Sequence, residues 1–192
     1  MDSSPWLKAT LVILLIELAI VGIWLALNLP VATHVLSSNL LANPSDPNNW
    51  ACEHERFANA FGVAGSDGGR LTVDVTKSDG APAHVLLYQE GIDLRAGRKY
   101  ALRFNAHAST NLSVSVVTDS DLSDHNTLPL DQTVKSMGLD RRILIGSRWK
   151  TYRFIFTARS SKPFHSRVPC FLIGAHTGQI WFDRMSLVEI GR

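Results

Sequence analysis

Hydrophobic residues follow two different patterns along the chain, and the change falls near residue 50. Residues 9–27 are apolar or small at every position except Thr10 and Glu17. At about 1.5 Å per residue this run spans roughly 28 Å, which matches a hydrocarbon core of about 30 Å in a typical bilayer. Pro30 then ends any helix. The first pattern therefore predicts one transmembrane helix.

A cleaved signal peptide is the alternative interpretation of the same run. Its apolar region is usually shorter, about 7–15 residues, and is followed by a small-residue cleavage site. This run is longer, and no clear site follows it. Lys8 precedes the run and the next basic residue is Arg56, so the excess of positive charge favours a cytoplasmic N-terminus. We expect a retained single-pass anchor in the cell membrane with an extracytoplasmic C-terminal domain.

Two features of the predicted helix indicate contacts inside the bilayer. Glu17 lies near its middle, where an ionisable side chain is costly and by default has a partner. The alternatives are a neighbouring helix, a bound cofactor, or a protonated carboxyl group tolerated by lipid. Ala19, Gly22 and Ala26 form a stripe of small residues that lets another helix approach closely. These four residues are the predicted intramembrane contacts with other membrane-protein subunits.

Beyond residue 50 the apolar residues recur at every second position, which is typical of strands with one buried face. Leu71, Val73 and Val75 alternate with polar residues, as do Leu112, Val114 and Val116. The predicted strands are 71–76, 100–107, 112–116, 151–156, 168–173 and 179–190. Turn signals separate them at residues 78–80, 96–97 and 177–178. Many short strands at this spacing predict an all-β, antiparallel two-sheet sandwich.

The two patterns divide the chain into three parts. Residues 1–30 form the cytoplasmic stub and transmembrane helix, and residues 50–192 form the extracytoplasmic β-sandwich domain. Between them, residues 31–49 are rich in Ser, Asn and Pro, which is the composition of a linker.

Four segments of the second part carry a family resemblance. They are residues 88–92 (YQEGI), 94–104 (LRAGRKYALRF), 149–154 (WKTYRF) and 178–183 (GQIWFD). In order and spacing the domain resembles carbohydrate-binding modules of the family 4/9 type. The resemblance implies a non-catalytic jelly-roll sandwich in which a glycan is a partner. It also implies a structural calcium ion, for which Asp183 is the matching acidic ligand; no other cofactor is expected.

Sugar binding requires exposed aromatic faces with polar groups around them. Most aromatic residues fall on the strand pattern or on the scaffold motifs, and we assign these to the core: Tyr100, Phe104, Tyr152, Phe154 and Trp181. Trp50 and Tyr88 remain as candidates for stacking on sugar rings. The alternative for both residues is packing at the end of a strand.

The sequence contains no constellation that predicts an enzyme. It has no nucleophile elbow, phosphate loop or zinc-protease motif. Asp119, Asp121 and Asp124 have spacing like the start of a calcium loop but lack its glycine and terminal glutamate. Cys52 and Cys170 lie near opposite ends of the domain, where the first and last strands of a sandwich often meet, so they are a candidate disulfide.

Charge is unevenly distributed although the net charge is only +2, which excludes a global signal for nucleic acid. Between residues 135 and 167 basic residues are frequent and Asp140 is the one acidic residue. We interpret part of this stretch as a basic face for docking on a partner, the alternative being ordinary solvated strand positions. Its members are Arg141, Arg142, Arg148, Lys150 and Arg153.

Two functional hypotheses follow. In the first, the protein is an accessory or structural subunit whose helix and sandwich brace a larger membrane-protein assembly, such as a respiratory or photosynthetic complex. In the second, it is a membrane-tethered carbohydrate-binding module for a polysaccharide or cell-wall glycan. Few aromatic residues are left for sugar stacking, so the sequence alone favours the first.

Overall fold

The computed structural model describes residues 35–55, 58–119, 136–161 and 166–191, without the side chain of Asp119. These described residues form ten strands and two short 3₁₀ turns, at Pro47–Asn49 and Pro82–His84. The strands are β1 (Ala51–His54), β2 (Phe61–Asp67), β3 (Arg70–Lys77), β4 (Val85–Glu90), β5 (Lys99–Ala108), β6 (Leu112–Asp119), β7 (Ser136–Ile145), β8 (Lys150–Thr157), β9 (Arg167–Leu172) and β10 (Gly178–Ile190).

The strands form two five-stranded sheets that face each other. Sheet 1 has the order β1-β4-β9-β6-β7, and sheet 2 has the order β2-β3-β10-β5-β8. Every pairing between named strands is antiparallel. The alternating apolar residues point into the space between the sheets, as the period of two requires. The expected antiparallel two-sheet sandwich is therefore confirmed.

Aromatic rings from both sheets meet in the middle of the core. Phe171 of β9 contacts Phe104 of β5, with ring centroids 5.3 Å apart, and Phe182 of β10, at 4.9 Å. All three side chains are fully buried. Burial of each phenyl ring contributes about 1.5–3 kcal/mol, and the edge-on and tilted contacts are the geometries that aromatic pairs prefer. This cluster joins the two sheets.

β7 and β8 follow each other in the chain but belong to different sheets, so the connection crosses the edge of the sandwich. At the other end of this strand pair, β7 and β8 approach each other closely at Gly138, whose φ is +135°. A Cβ atom there would collide with the carbonyl group of Thr157. Only glycine combines this backbone angle with this approach.

An N-terminal strap, residues 35–41, runs along β10 where β3 no longer covers it. β3 pairs with β10 only from Gly178 to Phe182, and the strap bonds to the later part of the strand. The backbone N–H groups of Leu36 and Leu40 donate to the carbonyl groups of Glu189 and Leu187, both at 2.8 Å. The segment predicted as a linker thus packs on the sandwich from residue 35 onward.

Amide side chains hold the strap in place. Asn39 accepts from the N–H of Leu187 at 2.9 Å and donates to the carbonyl of Met185 at 3.2 Å. Buried Gln89 accepts from the N–H of Ala42 at 3.0 Å and donates to its carbonyl at 2.9 Å. Leu41 is buried in the main core. These contacts explain why His34–Gly191 form one compact unit.

The predicted transmembrane segment, with Glu17, Ala19, Gly22 and Ala26, lies outside the described residues. Within the part of the chain that is described, no helix has the length and apolarity needed to cross a bilayer.

Candidate functional site

Three aromatic side chains form a row across the outer face of sheet 2. His107 of β5 is the direct partner of Trp181 of β10, and Trp149 lies on the other side of His107, one residue before β8. The rings of His107 and Trp181 are stacked, with centroids 4.4 Å apart and planes 6° apart. Trp149 meets His107 edge-on at 4.3 Å. We call His107, Trp149 and Trp181 the aromatic row.

The local sequence explains why these rings point outward. In β10, Ile180 and Phe182 point into the core, so Trp181 between them points to solvent. His107 occupies the same position in β5, between buried Ala106 and Ala108. Strands in a sheet lie about 4.8 Å apart, so residues in register on adjacent strands bring their rings into contact.

Trp149 is the most accessible member of the row, with 45% of its surface exposed. The guanidinium carbon of Arg70 lies 5.6 Å from the centre of its ring, a cation–π distance. On another side, Trp149 borders a groove of about 430 Å³ that also contains Asn111, Leu144 and Lys150. An exposed indole beside a groove offers an apolar face to a ligand.

Polar groups surround the aromatic row. The indole N–H of Trp181 donates to Asp67 at 2.9 Å, which fixes the orientation of that ring. Asn105 and Asp183 are direct partners on β5 and β10, and the hydroxyl of Thr151 donates to Asn105 at 2.8 Å. These groups form a polar band next to the row. An apolar platform with hydrogen-bonding groups at its edge is the arrangement that sugar recognition requires.

The environment of the row changes the titration of its histidine. Burial lowers the pKa of His107 below the usual value, and the positive charge of Arg70 lowers it further. The imidazole is therefore neutral at neutral pH, and it stacks on Trp181 as an uncharged ring.

The two predicted sugar-stacking residues are both buried, which corrects that prediction. Trp50 is 6% exposed, belongs to the core, and donates its indole N–H to the carbonyl of Pro44 at 3.1 Å. Trp50 and Phe61 both line a shallow groove, but so little of Trp50 is exposed that its ring cannot stack on a sugar. Tyr88 is 1% exposed, and burial followed by its hydrogen bond to Glu53 raises the pKa of its hydroxyl. A buried ring has no face for a sugar.

Tyr88 belongs instead to a polar contact at sheet 1. The Arg167 guanidinium lies over its ring, 4.6 Å from the centre, and pairs with Glu53 at 3.1 Å. The other nitrogens of Arg167, Nε and Nη1, are buried and have no hydrogen-bond partner among the described residues. The tyrosine ring stabilises this buried cation where a hydrogen bond is missing.

The prediction that Trp181 belongs to the core is wrong. Tyr100, Phe104 and Tyr152 are buried as expected, and Phe154 packs partly buried against the core. Trp181 lies on the opposite face of β10. The sequence does predict an outward Trp181. Ile180 and Phe182 are apolar and point into the core, and side chains alternate along a strand, so the residue between them points outward.

The predicted disulfide is not the arrangement of this structure. Cys52 lies on β1 and Cys170 on β9, with β4 between them. Cys52 packs against the main core, whereas Cys170 belongs to the separate apolar cluster that contains Tyr88. The two side chains thus point to opposite sides of sheet 1, and strands two apart are too distant for a bridge. Burial raises the pKa of the Cys52 thiol to about 11.

The predicted basic face is divided between the two sheets. All five of its residues are exposed, but Arg141 and Arg142 are on β7 of sheet 1, and Arg153 is on β8 of sheet 2. Arg142 is the partner of Ser115 on the outer side of sheet 1, whereas Arg153 is the partner of Arg103 on the outer side of sheet 2. The structure therefore groups Arg153 with Arg103.

The candidate calcium ligands are not brought together in the described structure. Asp183 pairs with Arg184 at 3.6 Å. The described residues contain no group of three or more His, Cys, Asp or Glu side chains able to hold a metal ion. Asp121 and Asp124 lie outside the described residues, and only the backbone of Asp119 is described.

The sandwich is similar to solved carbohydrate-binding modules. A structure of a CBM4 module is 19% identical, has a TM-score of 0.60, and aligns over 77% of this chain and 99% of the module. The N-terminal cellulose-binding domain of Cellulomonas fimi β-1,4-glucanase C is 18% identical, with a TM-score of 0.58 and coverages of 81% and 99%. The second such domain of that enzyme is 16% identical, with a TM-score of 0.56 and coverages of 83% and 100%.

No protein-family model and no curated protein sequence matches the chain. At the identities of the solved neighbours the similarity establishes a common fold, and function has to be argued from the site.

Proposed function

We propose that this protein is a non-catalytic carbohydrate-binding module of the jelly-roll type, and that it binds a polysaccharide on the outer face of sheet 2. The observation that carries the proposal is the aromatic row, in which Trp149 is exposed and polar side chains lie on the adjacent positions. A pyranose ring has apolar C–H faces that pack on an indole ring, and hydroxyl groups at its rim that need hydrogen-bond partners.

The fold supports the same function. The similar solved structures include cellulose-binding domains that align over nearly their entire length. This similarity favours the second of the two hypotheses from the sequence. The accessory-subunit hypothesis has no support among the described residues or the comparisons.

Attachment to the cell membrane is the second part of the proposal. It is supported by the length and apolarity of residues 9–27 and by the position of Lys8. In this arrangement the N-terminus is cytoplasmic and the sandwich, with its glycan site, is extracytoplasmic. Resistance of the full chain to alkaline extraction from membranes, together with digestion of the domain by protease added outside the cell, is the expected result. Release of the full chain by alkali would contradict the tether.

Glycan binding is tested by affinity electrophoresis of the full chain in gels that contain cellulose derivatives, xylan or β-glucan. The expected result is retardation by at least one polysaccharide. Trp149→Ala should weaken this binding about tenfold or more, which corresponds to about 1.4 kcal/mol. Ile155→Ala is the matched control, because Ile155 is an exposed apolar residue on the same face of sheet 2 and lies away from the row.

Unfolding of each variant by urea is measured in parallel. Trp149 is exposed, so its loss should change the free energy of unfolding by no more than about 0.5 kcal/mol. No retardation by any polysaccharide would overturn the proposal. If wild type, Trp149→Ala and Trp181→Ala bind the polysaccharide equally well, the aromatic row is not the binding site.

A further inference from the structure

Two arginine side chains face each other on the same sheet surface as the aromatic row. Arg103 of β5 is the direct partner of Arg153 of β8. Their neighbours Phe104 and Tyr152 point into the core, so both arginines point outward, and both are exposed. Neither forms an ion pair with an acidic side chain in the described part of the chain.

This pairing has a cost for the fold. Like charges directly opposite each other on adjacent strands are destabilising. A third arginine increases the local charge: Arg184 is exposed in the irregularity of β10 between Asp183 and Ser186, with a φ of +50°. Asp183 is the acidic group next to it, at 3.6 Å. Arg103 and Arg153 have no carboxylate partner among the described residues, whereas Arg184 has Asp183.

The arginine pair and the aromatic row lie in line along the same two strands. Arg103 and His107 are four residues apart in β5, which is about 13 Å in a strand. Between them lies the polar band, which contains Asn105, Thr151 and the carboxylate of Asp183. A linear ligand lying along β5 and β8 would contact the indole of Trp149, then the polar band, then the guanidinium groups.

Resting on the function proposed above, we infer that the glycan bound on this face is acidic, a polysaccharide whose uronate carboxylates pair with Arg103 and Arg153 while its rings stack on the aromatic row. Guanidinium groups bind carboxylates through two parallel hydrogen bonds. The exposed indole in line with them selects for a ligand that has apolar ring faces as well as charge. An acidic protein surface or a simple polyanion offers the charge without those faces.

The test compares two forms of one polymer, polygalacturonate and its methyl-esterified form, which differ in the charge of the carboxyl group. Alginate serves as a second uronate. Affinity electrophoresis of the full 192-residue chain, at low and high salt, measures binding to each. The key variant is Arg103→Gln with Arg153→Gln. The matched control, Arg141→Gln with Arg142→Gln, removes the same charge from β7 in sheet 1.

The expected result is binding to a uronate polymer that is at least about tenfold tighter than to the esterified form and that weakens at high salt. The Arg103/Arg153 variant should lose this preference, and the Arg141/Arg142 control should keep it. Trp149→Ala should weaken binding to both forms.

Three outcomes would overturn the inference. Equal binding to charged and esterified polymers, sensitive to Trp149→Ala, leaves a glycan-binding module that does not select acidic sugars. Polyglutamate serves as a polyanion without sugar rings. If it binds as tightly as the uronate polymers and Trp149→Ala does not weaken that binding, the surface binds polyanions in general, and the proposed function is overturned as well. Binding of a uronate that the Arg103/Arg153 variant retains places the charge recognition elsewhere.

Discussion

The imidazole of His107 and the indole of Trp181 are stacked in parallel, with their centroids 4.4 Å apart. The two residues are partners on adjacent strands, and the stack makes the emission of this tryptophan a reporter of the charge on the histidine. Burial and the charge of Arg70 both lower the pKa of His107.

We predict a change in tryptophan fluorescence as pH falls, with a midpoint below the ordinary histidine pKa of about 6.5. The unfolded chain binds this proton more readily than the folded one. The contribution of His107 to stability is therefore complete above about pH 6.5 and is lost as pH falls from there through the lowered pKa. His107→Gln should abolish the fluorescence transition, and His54→Gln should retain it. A midpoint above the ordinary value would contradict this account of the site.

Trp50 should behave as a core residue and not as a ligand-binding residue. We predict that Trp50→Ala lowers the free energy of unfolding by about 3–5 kcal/mol, because it leaves a cavity between the sheets. Trp50→Phe should recover much of that loss while leaving the carbonyl of Pro44 without its indole partner. Urea unfolding measures both. A Trp50→Ala variant that is as stable as the wild type but fails to bind glycan would show that Trp50 contacts the sugar.

Gln89 should hold the N-terminal strap on the sandwich. Gln89→Leu keeps the volume of the side chain but removes both hydrogen bonds to Ala42, and we predict a loss of about 1–3 kcal/mol. Hydrogen exchange at the N–H groups of Leu36 and Leu40 should become faster, because they depend on the strap staying in place.

Gln179→Ala is the control for this substitution, because Gln179 is half-buried and its side chain makes no hydrogen bond among the described residues. Unchanged exchange at Leu36 in Gln89→Leu would show that the other contacts hold the strap without Gln89.

Strands with one solvent-exposed face were predictable from their alternation. Of the two strands that are buried on both faces, β9 was predicted as the apolar run 168–173 and β4 was not. β3, β5, β6 and β8 place core residues at every second position and lie where the pattern predicts them. β4 does not alternate: its inner residue Leu87 packs in the main core, and its outer residues Leu86 and Tyr88 pack in a second cluster. Every position from Val85 to Gln89 is therefore buried, and the pattern reduces to an apolar run.

The candidate site required information that periodicity does not contain. Alternation places Trp181 and His107 each on the outer side of its own strand. That β10 and β5 are neighbours, and that residue 181 is opposite residue 107, follows from long-range pairing. The arginine pair could not be predicted for the same reason. In the sequence Arg153 is one of many basic residues in a stretch, and only the register of β5 and β8 brings it opposite Arg103.

The strap also determines how the sandwich would carry mechanical tension. A pull on the chain before residue 35 reaches the domain through the strap, whose backbone bonds end on Leu187 and Glu189 of β10. The same strand carries Trp181, so this load and a glycan bound on the aromatic row as proposed would act on one strand at the centre of sheet 2. Tension along the strand axis would load the strap bonds together in shear, and the core would not have to open for force to pass from tether to ligand.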